Sequence, residues 1–300
     1  MSWVSAAKPD CADRALTLEL SPEPWERFRR LMHVTWEATE VDLLSLCRLR
    51  LAQVLGCRTA LAGLSADDLA QLADWSHRDS YTERERAALD YAEQFQIDQN
   101  QITFQQRDAL SRHMSEAGVA NFVTALQVHD AYLRMMTFLD IEADAGSEIA
   151  CQSSALEERG EDAGNGPRGG SYNSEMKSLV NPALQQASVE FARSTFRQDL
   201  VDAQTSEMCR LLNASRQNCS TCMSGRRDVE RVDGIEDLMD LIVRFEASDL
   251  PERQKVALRL TDSFLTYPAD VSEEDWFRIK EFFSPPQVIE LLFKLLACPP

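Results

Sequence analysis

Histidine is scarce in this chain of 300 residues: His33, His77, His113 and His129 are the whole complement, and none follows position 129. The later half therefore has no imidazole of its own to exchange protons near neutral pH. Basic charge is also short, with 31 Lys and Arg against 49 Asp and Glu and a formal net charge of -18. Such a surface repels phosphate backbones and anionic head groups, which argues against nucleic acid and membrane surfaces as partners. No stretch is long and apolar enough to cross a bilayer, and the opening Met-Ser-Trp-Val-Ser-Ala-Ala-Lys-Pro-Asp lacks a basic segment followed by an apolar one. The expectation is a soluble, cytoplasmic protein. Tightly spaced cysteines are few: of the eight, at 11, 47, 57, 151, 209, 219, 222 and 298, only Cys219 and Cys222 are close neighbours. That pattern excludes a small secreted disulfide scaffold.

Runs of period-two alternation are absent too, while helical spacing is common. Ala88, Tyr91, Ala92 and Phe95 fall on one helical face, as do Ile235, Leu238, Ile242 and Phe245. Thr82 with Glu85, Thr103 with Gln106 and Ser284 with Gln287 have capping-box spacing, and Pro285 suits a first helical turn. The fold class is all-α. The length favours two domains. Residues 143–176, rich in Gly, Ser, Glu and Asp, read as a flexible acidic linker between a domain at 1–142 and one at 177–300.

An internal repeat is the strongest pattern. Residues 45–64 align without a gap on 207–226, preserving Cys47/Cys209, Arg48/Arg210, Ala52/Ala214, Cys57/Cys219, Thr59/Thr221 and Gly63/Gly225. Leu89 and Phe95 then match Leu258 and Phe264, and Ile102 to Leu126 lies ungapped on Val271 to Leu295 with Ser115 over Ser284. The copies differ where chemistry is concerned: Glu207 faces Ser45 and Cys222 faces Ala60. Nothing after Pro300 matches His129 to Ile141, so the last helix of the second copy should be short.

Two cysteines three residues apart at a helix start can form a disulfide or share a metal, and the helix terminus favours a thiolate placed there. Asn218 and Ser220 are candidate caps for such a start. Two inert buried thiols are the competing reading. A zinc site would need a second ligand pair, and a thioredoxin motif a preceding strand; neither pattern is present. Glu207 reads equally as a solvated helix residue, Trp276, Phe277, Phe282 and Phe283 as core, and Glu273 to Asp275 as a helix N-terminus.

Glu207, eleven residues, then Cys219-x-x-Cys222 resembles the signature of the alkylhydroperoxidase D and carboxymuconolactone decarboxylase superfamily, in which three further residues lead to a histidine. Arg50-Leu-Ala-Gln-Val-Leu-Gly-Cys57 and Thr82-Glu-Arg-Glu-Arg-Ala-Ala-Leu89 look similar to family segments in the first copy. The likeness covers roughly residues 22–142 and 181–298, and implies two tandem helical domains related by a pseudo-two-fold, the first degenerate. It further implies a peroxidatic Cys222, a resolving Cys219, and Glu207 in a proton relay, with no metal or organic cofactor. The family histidine is replaced here by Arg226, which can stabilise a thiolate by charge but cannot exchange a proton near neutrality. His129, on an expected packing helix, is a donor that could reach across, or a core histidine.

Three functions follow from the resemblance and the residues. The first is a thiol-dependent hydroperoxide or disulfide reductase, taking a small hydroperoxide and a dithiol electron donor. The second is a decarboxylase or lactone-processing enzyme, against which the retained cysteine pair argues. The third is a catalytically degenerate helical scaffold or binding protein. A homo-oligomer is expected, with Leu291, Leu292, Leu295 and Leu296 as an apolar edge for another subunit to cover.

Overall fold

The computed structural model describes residues 20–141, 178–219, 223 and 235–297. The expected linker at 143–176 lies outside them, as do Cys222 and Arg226. Among the described residues the regular structure is entirely helical, so the protein is all-α. No helix among them is long and apolar enough to cross a membrane.

Among the described residues twelve α-helices follow one another: α1 (Pro22–Ala38), α2 (Val41–Leu55), α3 (Ala66–Ala73), α4 (Glu83–Asp98), α5 (Phe104–Ser111), α6 (Glu116–Leu139), α7 (Pro182–Phe196), α8 (Ala203–Arg216), α9 (Ile235–Val243), α10 (Glu252–Thr266), α11 (Glu273–Phe282) and α12 (Pro285–Leu296). A 3₁₀ turn follows α3 at Trp75–His77 and another follows α9 at Phe245–Ala247. The order of elements from α1 to α6 thus recurs from α7 to α12. The pairings recur as well: α2 packs on α4 and α6, and α8 on α10 and α12.

Local signals start these helices where the sequence places them. Thr82 Oγ1 accepts from the Glu85 amide while the Glu85 carboxylate accepts from the Thr82 amide, and Thr103 with Gln106 does the same for α5. The Ser284 amide donates to Gln287 Oε1 at 3.0 Å, and Pro285 opens α12, where its missing amide hydrogen costs nothing. Ser115 and Ser284 cap α6 and α12 in matching register. Ala88, Tyr91, Ala92 and Phe95 are all buried, one stripe of α4 facing inward. The acidic run Glu273 to Asp275 forms the first turn of α11, where negative charge complements the helix dipole.

The main core draws on both halves. Phe28 of α1, Phe191 of α7 and Phe293 of α12 meet in a mutual cluster of tilted and edge-on rings, with centroids 5.0 Å apart for Phe28–Phe191 and 6.0 Å for Phe191–Phe293. Trp25 adds a fourth ring 6.4 Å from Phe293. Around this cluster α1 and α7 lie against each other, tied at the rim by Arg27 and Arg30 on Glu190. Farther along, Phe138 of α6 meets Phe264 of α10 and Trp276 of α11. A smaller cluster of Met208, Leu211, Leu212, Ile242, Phe245 and Leu258 belongs to the second half alone.

Two expectations need correction here. Leu291, Leu292, Leu295 and Leu296 are not an open edge: all four are buried in this shared core, because α12 packs against α6, α7 and α8 of the same chain. Of the four aromatics read as core, Phe283 is buried, Trp276 and Phe282 pack partly against it, and Phe277 is 67% exposed. Among the described residues α12 spans 12 residues against 24 for α6.

Candidate functional site

Cys219 is placed by the way α8 ends. Its backbone amide donates to the Ala214 carbonyl at 2.9 Å, and Asn218 adopts the left-handed conformation with φ of 50°. That is a Schellman closure, which satisfies helix-end carbonyls and turns the chain sharply. Asn is one of the few residues with a side chain that takes this conformation readily. The first half builds the same turn: Gly56 has φ of 70°, and the Cys57 amide donates to the Ala52 carbonyl at 2.8 Å. Cys57 and Cys219, aligned in sequence, therefore occupy equivalent positions at the ends of α2 and α8.

Beyond the turn a new helical bond begins at Cys219 itself, whose carbonyl accepts from the Met223 amide at 2.9 Å. The two aligned thiols differ in exposure. Cys57 is buried, with Sγ 3.7 Å from Thr59 Oγ1, and Thr59 donates in turn to the Ile141 carbonyl at 3.3 Å, where the chain emerges from the long α6. Cys219 is half-buried.

Glu207 sits in the second turn of α8, at the opposite end of the helix from Cys219. Its side chain is only 11% exposed and is gripped by Arg210, which donates from Nε at 2.7 Å and from Nη2 at 2.5 Å. A fork of this kind fixes the orientation of the carboxylate. Along α8, Glu207 and Arg216 are separated by about 14 Å at 1.5 Å per residue. The helix by itself therefore does not bring Glu207 to the Cys219 turn. Where Cys222 and Arg226 stand relative to either falls outside the described residues.

The remaining described thiols are core. Burial pushes the Cys47 thiol well up, with the Glu85 charge adding to it. Cys209, whose Sγ donates to the Ala257 carbonyl at 3.5 Å, is pushed up to about 12 by burial, only partly offset by its Thr261 hydrogen bond. His129 is fully buried on α6, with Nε2 2.9 Å from Thr35 Oγ1 and its ring edge-on to Trp36 at 4.7 Å. Both partners belong to α1, so the geometry is that of a core histidine and not of a donor reaching across to the second half's thiols.

Several polar residues that shape the region were not singled out by sequence reasoning. Glu290 is fully buried on α12, accepts from the Leu200 and Val201 amides at 2.8 and 3.2 Å, and pairs with Lys294 at 2.5 Å. The four-residue spacing of Glu290 and Lys294 was a readable sign of that pair; its burial was not. Asp130 pairs with Arg134 at 2.8 Å, and Arg134 also donates to the Leu265 carbonyl of α10. Asn213, Gln217 and Gln99 form a chain of side-chain amides at the end of α8.

No family model matches the chain, and no solved structure matches it significantly. Among curated proteins it is similar to the uncharacterized protein Rv2313c of Mycobacterium tuberculosis strain ATCC 25618 / H37Rv, at 29% identity over 215 residues, 71% of this chain and 68% of that protein. The uncharacterized protein MT2376 of Mycobacterium tuberculosis strain CDC 1551 / Oshkosh matches with the same figures.

Proposed function

We propose that this chain is a tandem alkylhydroperoxidase D-like protein whose second copy is a thiol-dependent reductase of hydroperoxides or disulfides. The observation that carries the reading is the matched pair of helix ends. Cys57 and Cys219 stand in the same closure of α2 and α8, yet only Cys219 reaches solvent and precedes a further cysteine three residues on. A thiol that merely fills space has no need of that exposure. A thiol that must meet a substrate does.

In this reading Cys222 attacks the distal oxygen of a small hydroperoxide, the alcohol or water departs, and Cys222 is left as a sulfenic acid. Cys219 then displaces water from that sulfur to give the Cys219–Cys222 disulfide, which an external dithiol returns to two thiols by exchange. Arg226 stabilises the thiolate by charge, and Glu207 supplies the carboxylate of the relay. The first copy, with Ala60 and Ser45 in the matching positions, serves as scaffold. Cytoplasmic location and a homo-oligomeric state belong to the same proposal.

The test is hydroperoxide consumption supported by a dithiol. Cys222→Ser should abolish it, and a thiol count before and after hydroperoxide should fall by two per chain, with the new bridge mapped to Cys219 and Cys222. Equal consumption by wild type and Cys222→Ser removes the assignment. The second reading, a catalytically degenerate scaffold, draws on the exchange of the family histidine for Arg226 and on the seclusion of His129 in the core. It expects no consumption by either protein.

A further inference from the structure

Each half of the molecule reaches into the cysteine-bearing helix end of the other. Gln99, in the 3₁₀ turn Gln99–Gln101 that follows α4, donates from Nε2 to Gln217 Oε1 at 3.3 Å. The reciprocal approach is present at the other end: a Cβ on Gly56 would lie 3.5 Å from the Ala269 side chain, in the turn that follows α10. Gly56 and Asn218 are the left-handed residues just before Cys57 and Cys219. The turns after α4 and α10 are thus exchanged between the halves, each set against the other's thiol turn.

At the second half this contact is one step in a directed chain. Gln99 donates to Gln217, Gln217 Nε2 donates to Asn213 Oδ1 at 2.5 Å, and Asn213 Nδ2 donates to the Leu295 carbonyl at 3.3 Å. Asn213 is buried, so the inner end of the chain is anchored between α8 and α12, while the outer end rests on the first half. Gln217 lies between these anchors and is two residues before Cys219. Its backbone belongs to the same closure that sets the Cys219 amide on Ala214. An amide side chain held at both ends cannot rotate without giving up a hydrogen bond. The turn carrying Cys219 is therefore fixed from both halves of the protein.

We propose that the first half completes the thiol site of the second, with Gln99 as a positioning residue that acts through Gln217 to hold Cys219 at the start of the following helical turn. This rests on the reading of Cys219 as a redox thiol, but it concerns the thiol's placement and not the substrate it meets. Releasing Gln217 lets the turn open, so that the thiolate loses part of the favourable interaction a helix terminus provides.

The experiment is the pH dependence of Cys219 alkylation by iodoacetamide, followed by mass spectrometry in the full chain carrying Cys222→Ser, so that the peptide reports one thiol. Gln99→Ala and Gln217→Leu should each move the profile to higher pH and slow alkylation at pH 7 by about two- to fivefold, the range a helix-terminus interaction spans. Their double variant should do no more than Gln217→Leu alone, because Gln99 acts only through Gln217. Gln99→Met, which keeps the length of the side chain without the donor, repeats the measurement should Gln99→Ala fold poorly. Unchanged profiles in these variants, or effects that add, overturn the proposal. No hydroperoxide is used, so the outcome is separate from that of the peroxidase test.

Discussion

His129 Nε2 lies 2.9 Å from Thr35 Oγ1, and the Thr35 hydroxyl directs its only hydrogen to the Met32 carbonyl at 2.6 Å. The imidazole must therefore be the donor in this pair, which places its proton on Nε2 and leaves Nδ1 a bare lone pair. Nδ1 is buried without a hydrogen-bond partner among the described residues. A second proton would put a cation into the core close to Arg48, and burial first, the Arg48 charge second, hold the His129 pKa well below 6.5.

Below pH 6.5 the unfolded chain binds a proton at this histidine that the folded chain refuses, so the His129 contribution is complete above that pH and declines as pH falls toward the folded value. The slope at its steepest is about 1.4 kcal/mol per pH unit. Asp130, raised by burial against the opposing Arg134 charge, acts in the other sense: its contribution is complete below pH 3.8 and declines as pH rises through its folded value. Comparing denaturant unfolding of wild type and His129→Gln between about pH 7 and 5 isolates the histidine. The wild type should lose stability more steeply, and parallel curves would refute the buried neutral imidazole.

Thiol reactivity gives a second prediction. Cys47, Cys57 and Cys209 are each buried to within about 1% of complete, and the Cys47 and Cys209 thiols are pushed up by that burial. The thiolate is the reactive form, so the folded protein at pH 8 should leave these three unmodified by iodoacetamide while Cys219 reacts. Peptide mapping after a short exposure reads the order directly. Modification of Cys57 as fast as Cys219 would mean that the two helix ends are equally open, and the distinction between the copies would be lost.

How much of this could be read from the sequence depends on how far apart the interacting residues are. The capping pairs Thr82–Glu85, Thr103–Gln106 and Ser284–Gln287 are three residues long and carry their own geometry. The stripe of α4 was equally legible, because helical period and burial coincide there. The alignment of Cys57 with Cys219 set the two thiols in matching register, but Asn218 was read as a cap that starts a helix, whereas it closes the end of α8 as Gly56 closes α2. What failed to show was contact across the halves. Leu291 to Leu296 read as an exposed edge because nothing local reveals that Phe28 and Phe191 wait to meet Phe293. The Arg210 partner of Glu207, only three residues away, was not singled out either. The Gln99–Gln217 bond joins residues 118 apart and has no local trace.

The shared aromatic cluster predicts how the protein unfolds. Phe28 touches Phe191 and Phe293, so removing its ring opens a cavity bordered by both halves at once. Phe28→Ala should cost about 3–5 kcal/mol, as for other buried aromatic truncations. Because the two halves lean on one core, wild type and variant should each unfold in a single transition, the variant's at lower denaturant. Fluorescence and circular dichroism monitored together would check it. Two separated transitions in the wild type would show that each half folds without the other.

Arg226 stands where the family that the sequence resembles carries a histidine. A guanidinium can hold a thiolate by charge but has no proton to give near neutrality, while an imidazole can do both. Under the proposed function Arg226→His should therefore raise kcat for hydroperoxide reduction. Well-placed acid–base groups contribute 10²–10⁴-fold, and an imidazole introduced without tuning should recover about tenfold. The gain depends on a carboxylate to orient the ring, and Glu207 is already held by both Arg210 bonds. Arg226→His combined with Glu207→Gln should then lose the gain and return to the wild-type rate. A gain that survives Glu207→Gln would remove Glu207 from the relay, and no gain at all would mean that proton transfer does not limit turnover.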